Sequence, residues 1–295
     1  MGATGRIGQL LQAVWKRHPP NGLTPRWQTR RADGGRAPQG LCFLPGAPPQ
    51  GARFGVVLSL LGVTSAAGSG ACGPDLRENS ALALAALETA RKVGARHVFL
   101  ASSAAVYGPG GGLREDAALH PASAYGRAKQ TMEIAAQDWR RGAGRDAPRL
   151  TILRIGNVAG ADALLAPRRP TPGGAVTLDR FAASGGGPRR SYIGPTSLAR
   201  VLASLLRRGA WCEGVPEILN LAAPGAVAME DLLDADGRAW QWRDAPQEAI
   251  EQVVLNTDRL RAMGEPGLAQ GGAAAIVAEW RGLDMPGGGA GRATP

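Results

Sequence analysis

The chain has 295 residues, 44% of them hydrophobic, so it can bury a sizeable core as one domain or as a domain with a smaller lobe. Its net charge of +10 comes mostly from dispersed arginines, without a long basic run or interleaved aromatic side chains. This pattern argues against nucleic-acid binding. No apolar run reaches about 18 residues, so we predict no membrane span.

The cysteines and the start of the chain bear on the cellular compartment. The first residues lack the basic and apolar regions of a secretory signal. Cys42, Cys72 and Cys212 are an odd number without metal-ligand spacing, and the three histidines are scattered. We therefore predict reduced thiols in a cytoplasmic protein and no metal site.

The first motif is Gly-Ala-Thr-Gly-Arg-Ile-Gly at residues 2–8, followed by a helical pattern. Glycines at this spacing let the backbone turn tightly and approach a pyrophosphate, and the helix N-terminus behind them offers free N–H groups. We expect a dinucleotide cofactor to contact Gly2, Thr4, Gly5, Arg6, Ile7 and Gly8. Such a loop normally follows a buried strand. Only Met1 precedes it here, so we expect a missing central strand, a longer reading frame and poor cofactor affinity in this chain.

Beyond the loop, short aliphatic runs alternate with helical stretches. This alternation indicates βαβ units and a parallel sheet with helices on both faces. The pattern predicts strands at 26–29, 55–61, 97–101, 150–155 and 217–221 and helices at 76–93, 124–140 and 197–207. Residues 161–190, rich in Pro, Gly and Arg, resemble an inserted lobe or loop, and residues 226–283 carry a second α/β stretch.

Tyr125 and Lys129 are four residues apart in a predicted helix, so their side chains share one face. A phenol, whose pKa is about 10, is a poor acid or base at neutral pH. A neighbouring ammonium and an oxidised nicotinamide both favour the phenolate and lower that pKa. Ser103 follows a predicted strand at the carboxyl end of the sheet, where ligands bind. Its hydroxyl could hold a substrate oxygen against Tyr125.

Four motifs together resemble the extended short-chain dehydrogenase/reductases, that is, the NAD-dependent epimerase/dehydratase family. They are the glycine loop at 2–8, Ser-Ser-Ala-Ala-Val-Tyr-Gly at 102–108, Tyr-Gly-Arg-Ala-Lys at 125–129 and Arg-Ile-Gly-Asn-Val-Ala-Gly at 154–160. They occur in the family's order, and the similarity covers roughly residues 2–225.

The resemblance implies a Rossmann-type doubly wound parallel sheet with a smaller C-terminal substrate lobe. Residues 1–160 would form the NAD(P)-binding core, which residues 190–225 complete. The lobe would consist of residues 161–189 and 226–283, and residues 284–295 would be a disordered tail. Ser103, Tyr125 and Lys129 fall on the family's catalytic positions, with Tyr125 as general acid/base, and Asn79 resembles the Asn that supports the site. The resemblance also implies a homodimer through helices 76–93 and 124–140, although their own patterning does not require one.

Two departures from the family pattern narrow this interpretation. Family dehydratases carry Asp-Glu after the Ser/Thr, where this chain has Ala104 and Ala105, so we expect no dehydration. Epimerisation and simple carbonyl reduction both stay open. Arg30 and Arg31 follow the predicted strand at 26–29, which corresponds to the second strand of the family. An acidic residue at that place would select NAD. Arginines suit a 2′-phosphate, so we slightly favour NADP over NAD.

Substrate-binding candidates are Arg190, in the position where nucleotide-sugar epimerases hold a diphosphate, and Asn157, in the family's substrate-facing stretch. A sugar nucleotide is therefore one candidate substrate. The Val-x-Asp that usually follows the Arg segment is replaced by Pro-Thr-Ser at 195–197. A catalytically silent dinucleotide-binding protein, such as a redox sensor, is the alternative function.

Overall fold

The structure is a computed structural model that describes residues 1–30, 40–64, 75–144, 146–166, 174–264 and 271–283. Within these ranges the chain forms seven α-helices and fourteen short strands. The helices are α1 (Arg6–Arg17), α2 (Glu78–Lys92), α3 (Ala124–Gly142), α4 (Pro195–Ala210), α5 (Met229–Ala235), α6 (Asp258–Ala262) and α7 (Ala273–Arg281).

Most strands are only two to five residues long, and β4 and β6 have seven each. They are β1 (Trp27–Thr29), β2 (Gly40–Cys42), β3 (Val56–Ser59), β4 (His97–Ser103), β5 (Gly110–Leu113), β6 (Arg149–Ile155), β7 (Asn157–Val158), β8 (Val176–Arg180), β9 (Arg189–Arg190), β10 (Tyr192–Ile193), β11 (Ile218–Leu221), β12 (Val227–Ala228), β13 (Trp240–Asp244) and β14 (Gln252–Leu255). A 3-10 helix, Ala104–Val106, follows β4.

The central sheet is parallel, with the strand order β11-β6-β4-β3. Successive side chains of a strand point to opposite faces, and both faces of β4 are buried: Phe99 packs into one apolar cluster and Leu100 into the other. The helices α1 and α4 cover the first face, and α2 and α3 cover the second. The carboxyl ends of these strands therefore lie together at one edge of the sheet.

Strands β1 and β2 form a separate parallel pair, and residues 1–3 lie between this pair and β3. The amide of Ala3 donates to the carbonyl of Gln28 at 3.3 Å, and the amide of Leu60 donates to the carbonyl of Met1 at 3.1 Å. The ammonium of Met1 donates to the Leu58 carbonyl, and burial lowers the pKa of this amine to about 5. Beside these residues is a cavity of about 150 Å³.

A second sheet joins parts of the chain that are distant in sequence. Its order is β12-β9-β14-β5, so β5 of the first half pairs with β14 near the C-terminus. The helices α5 and α7 share a small apolar cluster in which Leu232, Ile276 and Tyr192 are buried. The pairs β7–β10 and β8–β13 are parallel.

The predicted doubly wound parallel α/β fold is confirmed, and the predicted helices and strands are present with ends shifted by a few residues. The strand expected at 26–29 is the exception in placement, because β1 pairs with β2 apart from the central sheet. The division of the chain into a core and a lobe stays a prediction. Arg31, Cys72 and the predicted tail at 284–295 lie outside the described residues. In the described part of the chain, no helix is both long and apolar enough to cross a bilayer.

Candidate active site

Ser103 is the last residue of β4, whose strand continues two residues beyond the predicted end. Its Oγ accepts a hydrogen bond from the amide of Ala105 at 3.2 Å and so caps the 3-10 helix that follows. The cap fixes the hydroxyl at the carboxyl end of the sheet, which is the edge where ligands bind in doubly wound folds.

Tyr125 lies in the first turn of α3, and Gly126 lets that turn approach the 3-10 helix. The Oγ of Ser123 caps the helix by accepting from the amide of Gly126 at 3.0 Å. A Cβ on Gly126 would lie 2.3 Å from the carbonyl oxygen of Ala105, so only glycine fits. Burial raises the pKa of Tyr125, while a side-chain hydrogen bond with Ser103 and the positive charge of Arg6 act to lower it.

Lys129 is buried one turn further along α3. Its ammonium donates to the carbonyl of Ala101 in β4 at 3.1 Å and contacts the sulfur of Met132 at 3.6 Å. Burial lowers its pKa from 10.5 to about 8, and the charge of Glu133 opposes that shift. The positive charge of Arg6 in the glycine loop acts to lower the pKa of the Tyr125 phenol, and Lys129 is held against the strand.

Asn79, in the first turn of α2, holds the segment after β3 beside Lys129. Its Nδ2 donates to the carbonyl of Val63 at 3.1 Å, and its Oδ1 accepts from the Val63 amide at 3.3 Å. A Cβ on Gly62 would come within 3.0 Å of both Asn79 Oδ1 and Lys129 Nζ. Asn79 thus supports a close backbone approach to the lysine.

The glycine loop makes the turn that the sequence predicts. Gly2 has φ +83°, and a Cβ on Gly8 would lie 2.4 Å from the carbonyl oxygen of Gly2. Gly5 is the N-cap of α1 and brings no capping side chain, so the first turn of the helix is open to a ligand. Thr4 and Arg6 are exposed, and Ile7 packs on the core.

Arg30 follows the end of β1 and is exposed. The buried Gln28 beside it connects the loop to β2: its Nε2 donates to the carbonyl of Phe43 at 2.6 Å, and its Oε1 accepts from the amide of Gly2 at 3.4 Å. This contact sets the end of β1 against the glycine loop.

The two substrate candidates lie on other elements. Asn157 is in β7, paired with Tyr192 of β10. Arg190 is in β9, and its guanidinium donates to the carbonyls of Glu251 at 2.8 Å and Ile250 at 2.7 Å. Among the described residues, no hydrogen bond links either candidate to Ser103, Tyr125 or Lys129.

Sequence reasoning missed a buried ion pair directly behind these residues. Arg154 Nη2 and Glu133 Oε2 are 2.8 Å apart, and both side chains are nearly inaccessible. The Oγ of Ser102 donates to Glu133 Oε1 at 2.5 Å. Part of the signal is in the sequence: a charged arginine inside an apolar strand requires a buried partner, but the sequence does not say which residue that partner is.

Comparison with known proteins gives a family match for part of the chain and the fold of the whole. Residues 56–184 match the model of the NAD dependent epimerase/dehydratase family, a range that contains the three motifs at 102–108, 125–129 and 154–160. No curated protein sequence matches the chain.

Solved structures of two kinds of enzyme superpose on nearly the whole chain. A UDP-glucose 4-epimerase from Brucella ovis in complex with NAD is 19% identical, with 97% of this chain and 98% of that chain covered and a TM-score of 0.69. A dTDP-glucose 4,6-dehydratase from Streptomyces venezuelae with NAD bound is 18% identical, with 95% of each chain covered and a TM-score of 0.69.

A third structure carries a sugar nucleotide. It is a UDP-glucose-4-epimerase from Stenotrophomonas maltophila with bound NAD and formylated UDP-arabinopyranose, 19% identical, with 95% of each chain covered and a TM-score of 0.66. These likenesses confirm the fold expected from the four motifs. Residues 56–184 therefore match the NAD dependent epimerase/dehydratase family model, and the chain shares the fold of these NAD-bound enzymes.

Proposed function

We propose that the chain is an NAD(P)-dependent epimerase or reductase that acts on a hydroxyl or carbonyl carbon, with Tyr125 as general acid/base. The observation that carries the proposal is the meeting of Ser103, Tyr125 and Lys129 at the carboxyl end of β4, next to the glycine loop. If Tyr125 and Lys129 were a pair on the helix surface without a function, we would expect them to face solvent rather than the strand end where ligands bind.

The loop residues fit a dinucleotide. Gly8 has no room for a side chain beside Gly2, and the uncapped start of α1 leaves backbone N–H groups for a pyrophosphate. Gly2, Thr4, Gly5, Arg6, Ile7 and Gly8 would hold the phosphates, and Lys129 would hold the nicotinamide ribose. A bound nicotinamide dinucleotide supplies the hydride acceptor and donor.

Each residue of the catalytic set has a role that follows from its position. Ser103 orients the substrate oxygen by a hydrogen bond, and Tyr125 gives or takes the proton on that oxygen. Asn79 and Lys129 keep the segment after β3 against the end of β4. Ala104 and Ala105 bring no acid or base, which disfavours the dehydratase reaction.

A sugar nucleotide is the substrate class that we propose, since several structural neighbours are solved with such ligands. Arg190 would hold the diphosphate and Asn157 would face the sugar. The carbonyls of Ile250 and Glu251 already accept from the Arg190 guanidinium, so phosphate binding would use the remaining N–H groups.

For the cofactor we propose a slight preference for NADP, based on the exposed Arg30 at the end of β1 and on its neighbour Arg31. A guanidinium there can pair with a 2′-phosphate. Arg30→Ser should weaken NADPH binding about tenfold with little effect on NADH, a loss typical of one charge-assisted hydrogen bond. Arg53→Ser, an exposed arginine elsewhere, is the control, and equal losses for the two cofactors would contradict the preference.

The decisive experiment measures turnover of NAD(P)-linked oxidation, reduction and epimerisation with a panel of sugar nucleotides, ketones and aldehydes. Tyr125→Phe should lower kcat by at least about 100-fold and leave cofactor affinity nearly unchanged, because only the proton transfer is lost. Lys129→Met should lose activity, whereas the exposed Lys92→Met should keep it. Full turnover by Tyr125→Phe would refute the mechanism. Cofactor binding without turnover of any compound would favour the silent dinucleotide-binding alternative.

We further propose that the protein works on small molecules in the cytoplasm, without nucleic-acid or membrane partners, as a homodimer through α2 and α3. These helices pack together, and Ile134 of α3 is 53% exposed. A monomer in analytical ultracentrifugation would contradict the dimer, and salt-dependent retention on DNA or RNA would contradict the exclusion of nucleic acid.

A further inference from the structure

A buried carboxylate lies behind the catalytic set, and nothing in the proposed reaction uses it. We propose that Glu133 is a positioning residue: its carboxylate fixes the carboxyl end of β4 and supplies the negative charge that keeps Lys129 protonated. The functional consequence rests on the proposed function, whereas the contacts and the effect on Lys129 do not.

The first step is mechanical. Glu133 is on α3, four residues after Lys129, and its Oε1 accepts from the hydroxyl of Ser102 at 2.5 Å. Ser102 precedes Ser103 in β4, and the Lys129 ammonium donates to Ala101 of the same strand. Two side chains from successive turns of α3 thus hold two consecutive residues of the strand end, directly before Ser103. The position of Ser103 relative to Tyr125 depends on this attachment.

Arg154 of β6 completes the attachment from the other side. Its Nε lies 3.2 Å from both carboxylate oxygens of Glu133, and its Nη2 lies 2.8 Å from Oε2. Its Nη1 donates to the hydroxyl of Tyr107 at 2.9 Å and to the carbonyl of Glu115 at 3.1 Å. With these partners the buried guanidinium is satisfied, and the carboxylate is held in one orientation.

The second step is electrostatic. Lys129 is buried, and burial disfavours its charged form. The charge of Glu133 opposes this effect. The ionisable groups on the elements around this pair are Arg6 at the start of α1, Tyr125 on α3, Tyr107 and Glu115 on the segment after β4, Arg154 on β6 and Arg259 on α6. Glu133 lies on the same helix as the lysine, one turn further along α3.

The test follows the ionisation of Lys129 directly and needs no substrate. Lys16, Lys92 and Lys129 are the chain's lysines, so NMR of protein labelled with [13C]lysine resolves few signals, and Lys129→Arg identifies the relevant one. In the unmodified protein Lys129 should titrate near pH 8. In Glu133→Gln the midpoint should fall by about one pH unit, the effect of losing one nearby opposite charge.

Three further variants separate charge, geometry and folding. Asp236→Asn removes another buried carboxylate, which pairs with Arg238 and Arg281 away from the site, and should leave the Lys129 titration unchanged. Glu133→Asp keeps the charge and should restore the titration. Glu133→Gln leaves Arg154 without its partner and can unfold for that reason alone, so Glu133→Gln/Arg154→Met is measured as well.

An unchanged Lys129 midpoint in folded Glu133→Gln would overturn the inference, and so would an equal midpoint in the double variant and in Arg154→Met alone. A lowered midpoint, restored in Glu133→Asp, would support it. The proposed function is tested separately by turnover of the unmodified protein. If the unmodified protein turns over a substrate, Glu133→Gln should lower kcat about tenfold or more. The loss should be largest at pH values above the lowered Lys129 midpoint of the variant. A loss confined to KM would contradict the positioning role.

Discussion

At the scale of single residues, Gly126 decides whether Tyr125 can reach Ser103. A Cβ at this position would lie 2.3 Å from the Ala105 carbonyl oxygen and 2.9 Å from Pro121 Cβ, and neither the strand end nor the helix start can move freely. We expect Gly126→Ala to push α3 away from the 3-10 helix. Stability should fall by about 1–3 kcal/mol, as in other overpacked sites. Turnover should fall further, because the phenol moves with the helix.

The matched control for this substitution is on the same helix. Gly142, at the end of α3, has no heavy atom within 4 Å of an added Cβ. Gly142→Ala should therefore be neutral or stabilising by up to about 1 kcal/mol, since alanine favours the helix. Urea unfolding and steady-state kinetics of the two variants check the prediction. Equal stability and turnover in Gly126→Ala would show that the close approach is not required.

The candidate catalytic residues can be predicted from the sequence more readily than the residues that support them in the fold. Tyr125 and Lys129 follow from helical spacing, and Ser103 from its place after a strand. The Glu133–Arg154 pair could not be derived in this way, because it joins α3 to β6 across 21 positions of sequence. Whether a charged side chain is buried and paired depends on packing between elements, which local periodicity does not report.

At the scale of elements, strongly periodic segments are predicted well and short strands are not. The helices α2, α3 and α4 lie within a few residues of their predicted ends. The two-residue strands β7, β9, β10 and β12 have no periodic pattern of their own. They form because their backbones meet partners far along the chain, such as β9 with β14. Only tertiary structure creates such pairings.

The docking of α7 on α4 gives a prediction at this scale. Gly194 is the N-cap of α4 and brings no side-chain cap, but Glu279 of α7 fills that role. Its Oε2 accepts from the amide of Ser197 at 2.8 Å, and its Oε1 accepts from the Ser197 hydroxyl at 2.5 Å. Glu279→Ala should cost about 1–2 kcal/mol of stability, because a cap and its favourable charge are both lost.

Urea unfolding measures the cost, and hydrogen exchange locates it. Amides of α7 should exchange faster in Glu279→Ala, since the helix loses its polar attachment to α4. Glu248→Ala, in an exposed turn, should change neither quantity. If Glu248→Ala and Glu279→Ala were equally stable, the capping role of Glu279 would be wrong.

At the scale of the whole molecule, strands that are distant in sequence join the central sheet to the second sheet. β5 from the first half completes the sheet that contains β12 and β14, and Asn220 of β11 connects the two sheets: its Nδ2 donates to the carbonyls of Leu113 at 2.8 Å and Asn256 at 2.9 Å. The sequence predicts the parallel sheet from its aliphatic runs. It does not predict this junction, because the strand at 110–113 is almost all glycine.

The pH dependence of global stability should depend partly on His97. Its Nε2 lies 2.9 Å from the Thr151 hydroxyl, which itself donates to the Pro216 carbonyl at 2.7 Å, so Nε2 must be the donor to Thr151. Its Nδ1 is buried without a partner. Protonation would add a buried N–H and a charge near Arg149. Burial, followed by the charge of Arg149, lowers the pKa of His97 from 6.5 to about 4.

Because this pKa is lower in the folded state, the unfolded chain binds more protons between pH 4 and 6.5. The stability that His97 contributes is complete above pH 6.5 and is lost as the pH falls toward 4, by up to about 3 kcal/mol. His97→Gln keeps a donor for Thr151 and cannot ionise, so its unfolding free energy should depend less on pH across that window. The exposed His120→Gln should follow the unmodified protein. Urea unfolding at several pH values checks this, and parallel curves for His97→Gln and the unmodified protein would show that His97 is protonated in the folded state.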